Sequence, residues 1–450
     1  MTDQLSAPAA RRVRLALAGL TVAVYAVALN GPFQFDDRGA IVRELSVHSL
    51  SAALAALGHS LRALLKLSYA LSWALGGGKT WPFHAFNLLV HLLNVELVMR
   101  LYTAATRRRL SWPFAGLMPG GVVAGVLFAL HPIQTEAVTY ITGRSASLST
   151  CFLLLGLAFY VAGARSGRRL YGWLLAPLAF VLAVATKETS ALLPVLLLAW
   201  ELTIEQRPLR AALRRLGLWF AGWLAVASAL VMHPRYFELL YNALGQRPFG
   251  EALRFQLGGV AYVARRLVLW DGPCIDPGLW LRPPGNGMVY GTAALLGLAL
   301  AGALWRGRPL VRFGLLLFVL QLLLVHTLLP RIDVINERHA YLANAGLFLA
   351  LGSLVRELKP WLWLLAAVLA VLSVRRNLDY RTEVGLWQST VRSAPGNPRA
   401  HNNLGVAYEL DGQLIRARVE YAEALKLEPR YVAARENLTR AMRRPAVPSR

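Results

Sequence analysis

Residues 170–204 read LYGWLLAPLAFVLAVATKETSALLPVLLLAWELTI. Two apolar runs, 170–186 and 188–204, flank one polar tip, Thr186-Lys187-Glu188. Each is near the lower limit of what an α-helix needs to cross about 30 Å of hydrocarbon. The stretch reads as a tight hairpin of two short spans. The rest of the chain supports a membrane setting. It has 450 residues, 56% hydrophobic and only 16% charged, with a mean hydropathy of +0.45. A soluble domain carries about 25% charged residues and could not hide so much apolar surface. Disordered, coiled-coil and disulfide-scaffold classes are excluded on the same grounds. The fold class expected is all-α: a polytopic bundle of about eleven transmembrane helices, near 13–30, 87–105, 114–131, 146–164, 170–186, 188–204, 216–233, 287–305, 310–329, 340–355 and 360–374.

The formal net charge is +24 and the pI about 10.9. Such basicity raises nucleic-acid binding. Here the arginines cluster in short loops between apolar runs, where they orient helices in a bilayer. No nucleic-acid partner is expected. The clusters are Arg11/Arg12/Arg14, Arg107–Arg109, Arg165/Arg168/Arg169, Arg207/Arg210/Arg214/Arg215, Arg306/Arg308/Arg312 and Arg356 with Lys359. The positive-inside rule places these loops and the N-terminus in the cytoplasm. An odd span count then puts the loops 31–86, 132–145, 234–286 and 330–339, and the C-terminus, outside. No A-x-A cleavage signal follows the first apolar run, so it reads as a retained helix. Cys151 and Cys274 are too few for a metal site or a disulfide framework. Residues 49–75, with His59, Arg62 and Lys66, and residues 250–270, with Arg254, Arg265 and Arg266, suit amphipathic helices in the membrane interface.

Residues 398–431 read PRAHNNLGVAYELDGQLIRARVEYAEALKLEPRY. Leu404, Gly405, Tyr408, Ala417, Tyr421, Ala424 and Pro429 fall at the key positions of a 34-residue tetratricopeptide repeat. Trp387 and Pro395 lie one period before Tyr421 and Pro429. A helical module is therefore expected over 376–443, after a transmembrane domain 1–375 and before a disordered tail 444–450. Its small residues let two helices approach, its aromatics fill the gap, and Pro429 ends the second helix.

Charges at a membrane edge are costly and mark functional candidates. Asp36-Asp37-Arg38 directly follows the first span. Paired carboxylates there suit a general base with a partner, and like charges side by side raise one pKa; an interface turn explains the pair equally well. His131-Pro132-Ile133-Gln134-Thr135-Glu136 opens the next external loop, and Arg144 opens the span after it. An arginine at this depth either anchors a helix end or grips a phosphate bidentately. Lys187-Glu188 tips the hairpin, and Asn336-Glu337-Arg338-His339 precedes a later span. His84, Asn87, His91 and Asn94 recur at helical spacing, so they share one face, which must meet protein or water. Topology brings these external clusters to one membrane face. A cationic pocket beside a carboxylate pair suits a lipid-linked phosphate. No metal-ligand spacing, glycine-rich phosphate loop, nucleophile elbow or Walker motif appears, so no metal and no cofactor is expected beyond a lipid-linked substrate.

Six short motifs in order carry a further reading: FQFDD, WPFHAFNLLVHLLN, HPIQTEAVTYITGRSASLS, TKETSALLP, NERHAYLANAG, and LWQSTVRSAPGNPRAHNNLGVAYELDG leading into the repeat. Together they resemble the transmembrane and tetratricopeptide repeat (TMTC-type) protein O-mannosyltransferases and their bacterial relatives, within the polytopic GT-C glycosyltransferases. The resemblance implies transfer of a mannose-like sugar from a polyprenyl-phosphate donor to a hydroxyl acceptor. Transfer would occur with inversion, at the extracytoplasmic face of a bacterial inner membrane. By the same resemblance Asp36 or Asp37 is the base. Arg144 and Arg338 bind the donor phosphate, with Lys187 as a third cation. His84, Asn87, His131, Glu136, Glu188 and Glu337 shape the site, and the repeat offers a groove to an acceptor polypeptide. The chain departs from the eukaryotic pattern in having barely two repeats. Two other classes stay open: a non-catalytic scaffold recruiting partners by its repeat, and a lipid-linked oligosaccharide ligase or flippase.

Overall fold

The computed structural model describes residues 4–58, 60, 62–106, 116–269, 272–279, 281–328 and 333–444, and among these it contains helices and no strand. His59, the cluster Arg107–Arg109 and tail residues 445–450 lie outside the described residues.

Among the described residues, six helices are long and apolar enough to cross a membrane: Trp81–Thr106, Ile141–Ser166, Leu209–Met232, Asn286–Arg306, Pro309–Leu328 and Trp361–Asp379. A seventh candidate is a broken pair, Pro119–Leu130 and Pro132–Val138, bent by 55°. Pro132 explains the break, because it has no N–H to continue the helix. The chain is thus a multi-pass membrane protein. The other four expected spans take a different form. The run at 170–186 is a single apolar helix shorter than these six. The runs at 188–204 and 340–355 resolve into Leu193–Thr203 and Tyr341–Gly352, of 11 and 12 residues, each led in by a short 3-10 turn. The first, Ala7–Ala26, is 20 residues long but carries Arg11, Arg12 and Arg14 in its early turns. A helix enclosed by protein need not match the bilayer's thickness, and Tyr341–Gly352 is buried along almost its whole length.

Burial sorts the helices into layers. Trp81–Thr106 and Ile141–Ser166 form the centre, with 67% and 78% of their apolar windows buried. Leu209–Met232 and Asn286–Arg306 are only 6% and 11% buried in the same sense. An apolar helix with no protein cover faces lipid. Small residues set a tight crossing. A Cβ on Gly314 would sit 2.2 Å from the carbonyl oxygen of Gly346, so Pro309–Val319 and Tyr341–Gly352 touch backbone to backbone.

The 250–270 stretch is indeed helical, as Phe249–Val268. Its Arg266 turns inward, however, to pair with Glu337 at 2.6 Å. The last apolar helix runs to Asp379, four residues into the segment assigned above to the C-terminal module. Four helices follow: Glu383–Ser393, Pro398–Leu410, Leu414–Leu427 and Val432–Arg443. Trp387, Leu404, Tyr408, Ala417 and Tyr421 pack in one buried cluster that also takes in Tyr140, Ile275 and Tyr380. Ala424 is buried beside them, and Pro429 stands in the turn after Leu427. A Cβ on Gly405 would meet the Tyr421 ring at 2.5 Å, which is why this position is glycine. The module's core is therefore continuous with loops of the membrane domain. Arg399 strengthens the seam through ion pairs with Asp276 and Asp333.

Candidate active site

The turn after the first helix separates the two acidic residues. Asp37 is fully buried. Its Oδ2 accepts from the N–H of Gln34 at 3.0 Å and its Oδ1 from the N–H of Thr142 at 2.9 Å. Burial pushes this carboxyl up to about 7, against the pull of those two backbone donors. Asp36 faces the other way, with its side chain 49% exposed. Phe35, between this pair and Gln34, has a positive φ of 43°, a conformation that a bulky residue holds only when its surroundings impose it. They do so here. Its ring meets Trp387 edge-on at 5.1 Å, and its N–H donates to Glu383 at 3.4 Å. Glu383 also pairs with Arg38. The C-terminal module thus holds the turn that presents Asp36.

Arg338 lies beside Asp36, with Nη2 3.7 Å from Oδ2. Its other side pairs with the buried carboxylate of Glu136, which also accepts from the Arg338 backbone N–H at 3.1 Å. Its guanidinium lies 5.5 Å from the centre of the Tyr140 ring. The Tyr140 hydroxyl in turn accepts from the N–H of Asp36 at 2.8 Å. Lys187, Thr189, Ser190, Gln321, Arg338 and His339 line a narrow crevice running off this group. The structure therefore gathers one exposed carboxylate, one buried carboxylate and two cations, drawn from four segments far apart in sequence.

The remaining expected site residues surround this group. Glu337 is buried and takes both Arg266 and Arg376. Glu188 pairs with Arg62 at 2.7 Å, away from Arg338. Arg144 is fully buried. It donates to Asn87 at 2.7 Å, to the carbonyl of Ser68 at 2.7 Å and to that of Phe83 at 2.9 Å, with Phe86 under its guanidinium at 4.4 Å. Its fork ties three segments together rather than facing Asp36. Asn87 donates to the carbonyls of Val138 and Ile141 at 3.2 Å, and His84 to that of Gly31 at 3.1 Å. His91 bonds the hydroxyl of Tyr341 at 2.6 Å, and Asn94 donates to the carbonyl of Ser147 at 2.9 Å. The polar stripe is thus a set of clasps that positions the broken segment carrying Glu136 and Tyr140. His131 performs the same service, bonding the carbonyl of Leu267 at 3.1 Å.

Tyr140, Arg376 and Thr142 were not singled out from the sequence, and Arg266 was read only as part of an interfacial helix. Only Tyr140 and Thr142 had a signal there, inside the quoted HPIQTEAVTYITGRS motif. Among the described residues no cluster of three or more His, Cys, Asp or Glu side chains is placed to hold a metal.

No protein-family model matches the chain. Curated relatives do. A protein O-mannosyl-transferase of Caenorhabditis elegans is 22% identical over 93% of this chain and 63% of its own length. Protein O-mannosyl-transferase TMTC4 of Mus musculus is 25% identical over 87% of this chain and 63% of its own. TMTC2 of Homo sapiens is 35% identical over a shorter stretch, 26% of this chain and 13% of that protein. Among solved structures, ArnT from Cupriavidus metallidurans bound to undecaprenyl phosphate covers 95% of this chain and 76% of its own, at 16% identity and a TM-score of 0.40. The class defined is that of polytopic membrane proteins similar to glycosyltransferases. The particular relatives are the TMTC-type protein O-mannosyltransferases that the six motifs resemble, and the chain spans about 63% of the length of the Caenorhabditis elegans protein and of TMTC4.

Proposed function

We propose that the chain is a membrane-embedded glycosyltransferase that moves a mannose-like sugar from a polyprenyl-phosphate donor to a hydroxyl acceptor on a polypeptide, with inversion, at the extracytoplasmic face. The observation that carries this reading is the pairing of exposed Asp36 with Arg338 at 3.7 Å, backed by buried Glu136. Asp36 is the base. Its carboxylate takes the proton as the acceptor oxygen attacks the anomeric carbon. The bond to the donor phosphate oxygen breaks on the opposite face, and the electron pair leaves with the phosphate. Arg338, with Lys187 in the adjoining crevice, neutralises the charge that develops there. Glu136 holds the Arg338 fork in place, and Tyr140 holds the backbone of Asp36. Arg144 serves the donor indirectly, by fixing the segments that carry Asn87 and Tyr140. The repeat-like module lies beside the acidic turn and supplies a groove for an acceptor chain, while its Glu383 braces the base.

The scaffold reading leaves an exposed carboxylate and its partly buried cation without purpose. The test is complementation. A strain lacking this gene, examined by mass spectrometry of its envelope proteins, is expected to lose hexose-bearing glycopeptides. The wild-type gene should restore them and the Asp36→Asn gene should not. Full restoration by Asp36→Asn would remove the catalytic reading and leave a scaffold or a lipid handler.

A further inference from the structure

A second cavity lies away from the acidic turn. It lies at the other end of the bundle, roughly 24 Å away along the helix that runs from Arg144 past Tyr160. It encloses about 470 Å³ between the ends of Ile141–Ser166, Leu170–Thr186 and Leu209–Met232. Arg168, Arg169 and Arg215 line it together with the aromatic rings of Trp173, Phe180 and Trp219, and no carboxylate does. Arg215 is held in position: its Nε donates to the Tyr160 hydroxyl at 3.2 Å, and it lies 3.4 Å from Glu201. Trp219 packs edge-on against Tyr160 at 6.1 Å and against Phe180 at 6.4 Å, giving the cavity a rigid apolar wall. The helix that forms one side is the lipid-facing Leu209–Met232. Trp173 is 67% exposed, as expected of a tryptophan at the headgroup level.

We propose that this cavity binds one anionic glycerophospholipid from the leaflet opposite the acidic turn. The phosphate sits among Arg168, Arg169 and Arg215, and an acyl chain lies along Phe180 and Trp219. Charge decides for an anionic headgroup, since three arginines line the cavity, of which Arg215 is already paired with Glu201, and no acidic side chain forms its wall. The apolar half and the lipid-facing side decide for a lipid over a soluble anion.

The test is native mass spectrometry of the full chain in detergent, titrated with phosphatidylglycerol and, separately, phosphatidylcholine. Arg168→Gln/Arg169→Gln is the diagnostic variant, because both residues are exposed and the fold does not depend on them; its unfolding temperature in neutral detergent should equal the wild type's. Wild type is expected to retain phosphatidylglycerol selectively. The variant should bind it about 25-fold more weakly, at about fivefold per arginine. Inorganic phosphate should not displace it. Equal affinity in variant and wild type, equal binding of phosphatidylcholine, displacement by inorganic phosphate, or preference for a polyprenyl phosphate would each overturn the proposal.

Discussion

At the scale of single residues, adjacent aspartates differ because one receives two backbone N–H groups and the other none from that turn. Asp37 is the frame of the turn, and its carboxyl is held near 7 by burial. A raised carboxyl favours the fold in its protonated form. That contribution is full below about pH 4, the ordinary carboxylate value, and is lost as pH rises through about 7. The unfolding temperature of the detergent-solubilised protein should therefore fall between about pH 4 and pH 7 and level off above that, and Asp37→Asn should flatten that slope. Identical slopes would show that Asp37 does not titrate there. Arg144 makes a second residue-scale prediction. Lysine keeps the charge but loses the planar fork that reaches Asn87, Ser68 and Phe83. Arg144→Lys should cost about 2 kcal/mol or more of stability, read as a lower unfolding temperature. Unchanged stability with a raised KM for the donor would instead place Arg144 on the donor phosphate.

At the scale of elements, the long helices were legible because apolar runs of sufficient length have one physical meaning in a membrane protein. Trp81–Thr106 covers the expected 87–105, and Asn286–Arg306 covers 287–305. The polar stripe was legible as a face but not as a clasp. Its partners are backbone carbonyls about fifty residues away, and no local pattern announces them. The two aspartates were indistinguishable for the same reason: the donor from Thr142 comes from another loop. For the short helices the sequence is silent on spanning, because an apolar run does not say whether lipid or protein surrounds it. In the C-terminal helices the spacing of small and aromatic residues marks positions that meet in the packing, and Gly405 is one of them. Gly405→Ala would drive a methyl into the Tyr421 ring. It should destabilise the module by about 1–3 kcal/mol, seen as faster proteolysis after residue 393 with the membrane bundle intact. Resistance equal to wild type would mean that Tyr421 has room to move.

At the scale of the whole molecule, the proposed reaction depends on orientation and on one reacting group. The acidic turn, the broken segment and the C-terminal helices meet in one place, so all of them lie on the same side of the membrane. Cys151 and Cys274 are buried, which leaves introduced cysteines as clean reporters. A membrane-impermeant thiol reagent added to intact cells should label Asp411→Cys and miss Lys359→Cys; the reverse pattern would invert the orientation and move the site to the cytoplasm. The central claim is that Asp36, set beside Arg338, removes the acceptor proton during sugar transfer. The direct measurement is turnover of a polyprenyl-phosphate mannose donor by the purified full chain, wild type against Asp36→Asn, with unfolding temperature recorded alongside. Asp36→Asn should lose about 100-fold or more in turnover at unchanged stability, because the side chain is half exposed and its charge alone is removed. A wild-type rate for that variant would contradict the account and pass the role of base to another carboxylate, Glu136 first.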